Sequence, residues 1–130
     1  MIVLDASAAV DWLLQTPAGR RIENRIYSRS ETLHAPHLID IEVCQVLRRL
    51  ARQGAVPADR ADEAVADLLD LRIARYPHAV LMPRIWQLRH NLSAYDAAYI
   101  ALAEDLGAAL LTCDQKLGSA PGHGAVVEVF

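Results

Sequence analysis

The sequence predicts an α/β fold, a three-layer α/β/α sandwich in which helices cover both faces of a small parallel sheet. Strand-like runs alternate with helical patterns along the whole chain. The strand-like runs are continuously apolar and lack the polar alternation of a sheet that faces water on one side. The chain of 130 residues is 53% apolar, which is enough to form one core. We therefore expect a single domain spanning residues 1–130.

Five short runs have strand character. The first, Ile2–Leu4, joins three large aliphatic residues, and the weakest is Leu71–Ala74. β-Branched residues favour the extended backbone. Aromatic residues make up only 5% of the chain, so we expect an aliphatic core. The predicted strands are Ile2–Leu4, Thr32–Ala35, Leu71–Ala74, Ala108–Thr112 and Ala125–Val129.

Six helical patterns fill the gaps between these strands. Ser7 and Ser93 are expected N-caps, and Pro57 can open a helix in its first turn. Gly54 and Gly107 are expected to close helices, because glycine accepts the left-handed conformation that follows many helix ends. The first predicted helix follows Ser7, and the others span about 17–29, 38–53, 57–70, 79–90 and 93–107.

Composition and charge exclude several classes of protein. No apolar run approaches the ~20 residues that span a bilayer, and Met1 leads into a strand without a basic and apolar leader. We therefore expect no membrane association and a cytoplasmic location. The net charge is −3, so any binding of nucleic acid must depend on locally arranged arginines. Cys44 and Cys113 stand outside metal-ligand spacings and are expected to be small buried thiols in a reducing compartment.

Two carboxylates stand at the carboxyl ends of predicted strands. Asp5 comes after Ile2–Leu4, and Asp114 comes after the run that reaches Thr112. In open parallel sheets, ligands bind outside the carboxyl ends of the strands. A carboxylate at the edge of a core is costly unless something stabilises it. We therefore expect these two aspartates to belong to one functional site.

Two helices supply further candidate acids. Asp96 falls in the first turn of the helix capped by Ser93, where an acid can equally serve to offset the helix dipole. In the segment HLIDIEVCQVLRRL, Asp40 and Glu42 lie on opposite borders of the apolar face, and periodicity does not choose between them. The acids between residues 59 and 70 recur on one polar helix face and are predicted to be solvated.

Three segments together resemble the PIN domain, specifically the VapC toxins of bacterial toxin–antitoxin pairs. They are VLDASAAVDWLL, LIDIEVCQVLRRL and LSAYDAAYIALAEDLGAALLTCDQKL, and their order and spacing agree with that family over essentially the whole chain. The resemblance implies a parallel sheet between helices and Mg²⁺- or Mn²⁺-dependent cleavage of RNA. It also implies a VapB-type antitoxin as partner, a homodimer, and a structured substrate such as transfer or ribosomal RNA.

The same resemblance implies roles for individual residues. The catalytic and metal-binding acids that it implies are Asp5, Glu42, Asp96 and Asp114. Glu42 is thereby favoured over Asp40, and the hydroxyls of Ser7 and Thr112 are implied to support the metal site. No further acid follows closely after Asp114, so the number of metal ions stays open.

The chemistry of clustered carboxylates agrees with this resemblance. Carboxylates brought together repel one another, which raises their proton affinity unless a cation neutralises them. Mg²⁺ and Mn²⁺ prefer such oxygen ligands. Such an ion activates water for attack on phosphorus and neutralises charge on the phosphate. We therefore expect products with a 5′-phosphate and a 3′-hydroxyl.

Cations elsewhere must hold the RNA backbone, because an acidic site repels it. Arg89 and His90, just before the helix that carries Asp96, are the predicted substrate contacts. Three arginines are spaced four residues apart on one predicted helix. They could bind phosphates or form an ordinary solvated face, and the sequence leaves both interpretations open. These are Arg21, Arg25 and Arg29. Favourable interaction with the helix dipole explains a third group, Arg48, Arg49 and Arg52.

Three other interpretations compete with a ribonuclease. A receiver-like phosphoacceptor domain also collects acids at strand ends, but it requires a neighbouring acidic pair, and Asp5 is followed by Ala6. A catalytically silent binding module with the PIN fold stays open. So does a metal-dependent nuclease that acts on DNA, because an acidic site acts on the phosphodiester and the sugar is recognised elsewhere.

Overall fold

A parallel five-stranded sheet forms the centre of the computed structural model, which describes residues 1–130. The strands are β1 (Ile2–Leu4), β2 (Leu33–Pro36), β3 (Ile73–Tyr76), β4 (Ala109–Thr112) and β5 (Val127–Val129). Their order across the sheet is β3-β2-β1-β4-β5, so β1 lies in the middle. Val3 of β1 is in register with His34 of β2 on one side and Leu110 of β4 on the other.

Seven α-helices connect the strands. They are α1 (Ala6–Leu13), α2 (Pro17–Ser28), α3 (Leu38–Arg52), α4 (Ala58–Asp70), α5 (Met82–Gln87), α6 (Ala94–Leu106) and α7 (Gln115–Ser119). A single 3₁₀ turn, Ala79–Leu81, precedes α5. None of the helices combines the length and the apolar character that crossing a bilayer requires.

The chain reverses its direction across the sheet between β1 and β4. From β1 it proceeds to β2 and β3 through α1–α4, and it then returns through α5 and α6 to β4. Crossovers between parallel strands are right-handed, so helices that cross in opposite directions lie on opposite faces of the sheet. The predicted α/β sandwich is therefore confirmed. The reversal also creates a switch point at the carboxyl ends of β1 and β4, the place where such sheets bind ligands.

The core beneath this switch point is aliphatic, as the composition predicts. All three residues of β1 are completely buried. Helix α6 is buried continuously from Ala97 to Ala103, and it packs against β1, β2 and β4. Burial of apolar surface contributes roughly 25 cal/mol per Å². The central strand and this helix are therefore anchored by packing, and the residues at their ends are held in place.

Three local features differ from the predictions. Asp5, not Ser7, is the N-cap of α1, because its Oδ1 accepts the amide of Ala8 at 2.8 Å. Residues 79–90 do not form one helix. Pro83 lacks an amide hydrogen and therefore fits the first turn of α5, which begins one residue earlier. Helix α7 was not predicted, because five residues are too few to show helical periodicity.

Two surface predictions are also corrected. Cys44 is exposed rather than buried, and Cys113 is half-buried; both are free thiols. Arg25 is not available for a phosphate-binding stripe. Its guanidinium contacts Glu31 at 2.8 Å and Glu128 at 2.9 Å, which ties α2 to the edge strand β5.

Candidate active site

Asp5 stands at the carboxyl end of the central strand with its side chain fixed in place. The residue is 5% exposed. Its Oδ1 accepts hydrogen bonds from the amide of Ala8 at 2.8 Å and from the hydroxyl of Ser7 at 2.7 Å, and its Oδ2 accepts one from the hydroxyl of Thr112. Three donors of two different elements therefore hold one carboxylate at the switch point.

The two hydroxyls also tie the end of β4 to the start of α1. Ser7 Oγ accepts the amide of Cys113 at 2.9 Å, and Thr112 Oγ1 accepts the amide of Asp114 at 2.9 Å. The two hydroxyl oxygens lie 3.2 Å apart. Ser7 and Thr112 thus contact Asp5, as expected of groups that support it, and they also position the backbone that carries Asp114.

Asp40 and Glu42, which periodicity left undecided, have different surroundings. Asp40 accepts two hydrogen bonds from the guanidinium of Arg75 on β3, at 2.7 and 2.8 Å. Glu42 is half-buried, lines the same cleft as Asp5, and accepts the hydroxyl of Tyr99 at 2.7 Å. Only Glu42 therefore faces the switch point, which agrees with its choice from the family resemblance.

Asp96 and Asp114 complete the acidic group. Asp96 is half-buried in the first turn of α6, and its amide donates to Ser93 Oγ at 3.1 Å, so the predicted cap is confirmed. Asp114 is the N-cap of α7, where its Oδ1 accepts the amide of Lys116 at 2.8 Å. Each of these acids is positioned by the start of a helix.

The four acids line one cleft of about 760 Å³ at the switch point. The cleft continues beyond them between α1 and α3, where its surface becomes largely apolar. Its polar walls include Asp11, Thr16 and Arg49. Arg89 and His90, the predicted substrate contacts, are exposed but do not line this cleft, and the guanidinium of Arg89 stacks over Trp86, 4.5 Å from the ring centroid.

Burial and mutual repulsion raise the proton affinity of these acids. The pKa of Asp5 is raised from 3.8 to about 6, because burial outweighs its three hydrogen bonds and the charge of Asp96 adds to the effect. Burial also raises the pKa of Glu42 against the opposing hydrogen bond from Tyr99. The pKa of Asp96 is raised by burial and by the charge of Asp114. The cleft therefore disfavours the negative charge that these groups carry.

The donor set fits a hard divalent cation. It consists of carboxylate oxygens, the ligands that Mg²⁺ and Mn²⁺ prefer, and a cation would offset the repulsion that raises their pKa values. No three of these side chains are already gathered around one point. This is the expected arrangement of like charges, and the carboxylates of Asp5, Glu42 and Asp114 are instead held by amide and hydroxyl donors.

Besides Asp11 and Thr16, sequence reasoning missed Tyr99 and Arg49 as residues of the cleft. Tyr99 is 2% exposed and stands one helical turn beyond Asp96. Arg49 stands two turns beyond Glu42, in the last turn of α3, where the helix dipole is a sufficient reason for a positive charge. Both follow an acid at a spacing that returns to the same helix face, and this spacing was the available signal.

The fold and its acidic cleft place this chain among α/β proteins with carboxylates at the switch point of a parallel sheet. Comparison with known families identifies the family. The family model of the PIN domain matches residues 2–122. The chain therefore belongs to the PIN-domain family.

The similar proteins found within that family are VapC ribonucleases. The chain is 41% identical over 129 residues to ribonuclease VapC12 of Mycobacterium tuberculosis, covering 99% of this chain and 98% of the relative. It is 45% identical over 117 residues to the VapC ribonuclease Mb0985 of Mycobacterium bovis, covering 90% of this chain and 88% of the relative. The match to VapC proteins thus extends over nearly the full length of both partners, as the sequence resemblance predicted.

Solved structures agree with this fold. PAE2754 from Pyrobaculum aerophilum superposes with a TM-score of 0.69 at 25% identity, covering 97% of this chain and 82% of that one. VapBC2 from Rickettsia felis, bound to a DNA fragment from its promoter, gives a TM-score of 0.71 at 14% identity, covering 100% and 99%. At these identities the fold is shared while most side chains differ.

Proposed function

We propose that this protein is a VapC-type endoribonuclease, which hydrolyses phosphodiester bonds of RNA as the toxin of a toxin–antitoxin pair. The observation that carries the proposal is the convergence of four carboxylates, from four separate elements of the chain, on one cleft. The relatives named VapC ribonucleases, at 41% and 45% identity, support the same activity.

Mg²⁺ or Mn²⁺ is the proposed cofactor, and the residues that would hold it are Asp5, Glu42, Asp96 and Asp114. When bound, such an ion supplies a Lewis acid that activates water and neutralises charge on the phosphate. The chain itself supplies orientation. The hydrogen bonds from Ser7, Ala8 and Thr112 keep Asp5 fixed, and the hydroxyl of Tyr99 keeps Glu42 aimed into the cleft. Preorganised ligands of this kind lose little free energy when they bind their ion.

The proposal extends to partners and location. A VapB-type antitoxin is the proposed partner, supported by the relation to VapC proteins. We propose that residues 1–130 act as one domain, that the protein forms a homodimer in the cytoplasm, and that its substrate is a structured RNA such as transfer or ribosomal RNA. Arg89 and His90 stay a prediction as substrate contacts.

The proposal is tested by incubating the purified protein, freed of any partner, with end-labelled total RNA and Mg²⁺ or Mn²⁺. Parallel reactions contain EDTA or one of the variants Asp5→Ala and Asp96→Ala. Asp105→Ala is the matched control, because this exposed acid lies on the same helix as Asp96 but outside the cleft. We expect discrete metal-dependent products with the wild type and the control, and none with the other two variants.

Other results would replace the proposal. Identical fragments from all variants would mean that a contaminant cleaves the RNA. Cleavage of DNA but not RNA would identify a DNA nuclease. A folded protein that binds Mn²⁺ but cleaves neither nucleic acid would be a binding module that keeps the PIN fold.

A further inference from the structure

We propose that Arg49 binds an RNA phosphate next to the scissile one, and that the apolar part of the cleft receives the nucleotide between them. The inference rests on the proposed function, because it assumes that RNA is cleaved at the four acids. It assigns a substrate-positioning role to a residue outside the acidic group, and it specifies the ligand as a single-stranded segment of RNA.

The position of Arg49 follows from the geometry of α3. Glu42 and Arg49 are seven residues apart, which is close to two full turns, so both lie on one face of the helix. Both line the cleft. Along the helix axis they are separated by about 10 Å. This separation places Arg49 within reach of a phosphate next to the one at the acids.

Arg49 is also the positively charged residue of this cleft, and it has no acidic partner. It is the one lysine or arginine among the lining residues. Arg49 forms no ion pair, as is true of most exposed arginines of the chain, so its position in the cleft is what distinguishes it. Interaction with the helix dipole accounts for a positive charge in the last turn of α3. It does not account for the placement of that charge in the cleft, two turns from Glu42.

Beyond the four acids, the cleft wall is largely apolar and also carries Asp11, whose carboxylate accepts the hydroxyl of Thr16 at 2.6 Å. The apolar residues of this wall are Val10, Leu14, Val46, Leu50 and Val56. Unstacked nucleotides present an apolar base face together with a charged backbone. A surface that is apolar along its floor and positive at its far end complements this combination. A paired helix would keep its bases stacked inside, so the single strand is the better match.

The two ends of the cleft carry opposite charge. The acidic end repels phosphates until a cation is present, whereas the Arg49 end attracts them. A contact at Arg49 would therefore hold the strand before cleavage and set which phosphate reaches the acids. Contacts to phosphates position a nucleic acid without reading its sequence, so the effect should not depend on the bases.

The test measures binding without cleavage, in an Asp5→Asn background. A short fluorescein-labelled oligouridylate is titrated with this protein at several KCl concentrations, and anisotropy gives the affinity. Adding Arg49→Ala should weaken binding several-fold at low salt. It should also reduce the slope of log K against log [KCl] by about 0.7, the value of one phosphate contact on a single strand. Arg49→Lys should retain most of the slope.

Arg52→Ala is the matched control, because this exposed arginine lies in the same last turn and does not line the cleft. It should leave the slope unchanged. A second series replaces one phosphate at a time with a neutral methylphosphonate. One position should weaken binding to the Arg49 protein and have no further effect on the Arg49→Ala protein.

Equal slopes and equal methylphosphonate profiles with and without Arg49 would overturn the inference, as would the absence of any binding by the Asp5→Asn protein at low salt. If Arg49→Ala left RNA binding intact but weakened binding of a protein partner, the subsite would belong to that partner instead. Failure of the wild type to cleave RNA is a separate result. It would overturn the proposed function. If the wild type cleaves RNA normally but the salt dependence of binding is the same with and without Arg49, only the role of Arg49 is overturned.

Discussion

The carboxylates of the cleft and those of the outer surface have opposite electrostatic surroundings. In the cleft, the pKa values of Asp5, Glu42 and Asp96 are all raised, chiefly by burial. On the surface, the pKa of Glu31 is lowered by its bonds to the N-terminal ammonium and Arg25, and that of Glu104 by its bond to Arg84. The residue types are the same, so the difference comes from their surroundings: burial without a cationic partner in the cleft, and ammonium or guanidinium partners on the surface.

The difference has a functional meaning. The surface acids are compensated within the fold by guanidinium groups at 2.7–2.8 Å. The cleft acids form no ion pair and receive only amide and hydroxyl hydrogen bonds. Hydrogen bonds fix their direction without neutralising their charge. The fold thus leaves one group of acids without a cationic partner of its own, and the following variants test that division.

The largest expected effect compares two acids of one helix. Glu42→Gln should lower the rate of RNA cleavage more than about 100-fold, beyond what is typical of groups that only support a metal ligand. Asp40→Asn should change the rate less than about twofold, because its carboxylate contacts Arg75 outside the cleft. The measurement is the initial cleavage rate, with Mn²⁺ binding followed by calorimetry. Equal losses in both variants would show that the cleft does not distinguish these acids.

The second effect concerns the stability of the protein without divalent cations. The pKa of Asp5 is raised from 3.8 to about 6 by folding. The folded state therefore binds the proton more tightly, and the contribution of Asp5 to stability is complete below about pH 4 and is lost as the pH rises to about 6. The difference between the two pKa values corresponds to about 3 kcal/mol.

Asp5→Asn removes this penalty, so the free energy of unfolding of the variant relative to wild type should increase by up to about 3 kcal/mol between pH 4 and pH 7. Urea unfolding in EDTA at both pH values measures it. Asp62→Asn, at an exposed position on α4, is the control and should give a constant difference. A constant difference for Asp5→Asn as well would contradict the raised pKa.

The smallest expected effect concerns Glu31, one of the surface acids. The pH dependence of its contribution to stability has the opposite sign to that of Asp5. The pKa of Glu31 is lowered from 4.5 by folding, so its charged form stabilises the folded state above that pH, and the contribution is lost as the pH falls through the folded value. Glu31→Gln should reduce the free energy of unfolding by about 1 kcal/mol at neutral pH. The loss should shrink below about pH 4 and at high salt. Unchanged stability at neutral pH would mean that this ion pair is balanced by its desolvation.

Part of the candidate site could be predicted from local sequence alone. Asp5 and Asp114 were predicted to meet because the carboxyl ends of parallel strands share one edge of the sheet. The position of Asp96 in a first helical turn followed from its capping serine, but its membership of the site came from the family resemblance. Periodicity could not separate Asp40 from Glu42, and only the family resemblance chose between them.

The remaining features depend on residues that are distant in the sequence. The hydrogen bond that orients Glu42 comes from Tyr99, 57 residues away. The ion pair that removes Asp40 from consideration comes from Arg75, 35 residues away. Contacts between residues so far apart in the sequence cannot be recognised from its apolar periodicity. Arg49 differs from these two cases, because its spacing from Glu42 on one helix was a signal that the sequence did contain.

The sequence by itself determined the five strands, most of the helices between them, the aliphatic core and the acids at the ends of strands and the starts of helices. These follow from apolar periodicity, capping and the backbone preferences of neighbouring residues, which act over a few positions. The tertiary structure decided which carboxylates meet a guanidinium, which meet only a hydroxyl, and which arginine stays unpaired beside them. Desolvation and charge pairing act through space, so they are set only when the sheet brings distant segments together.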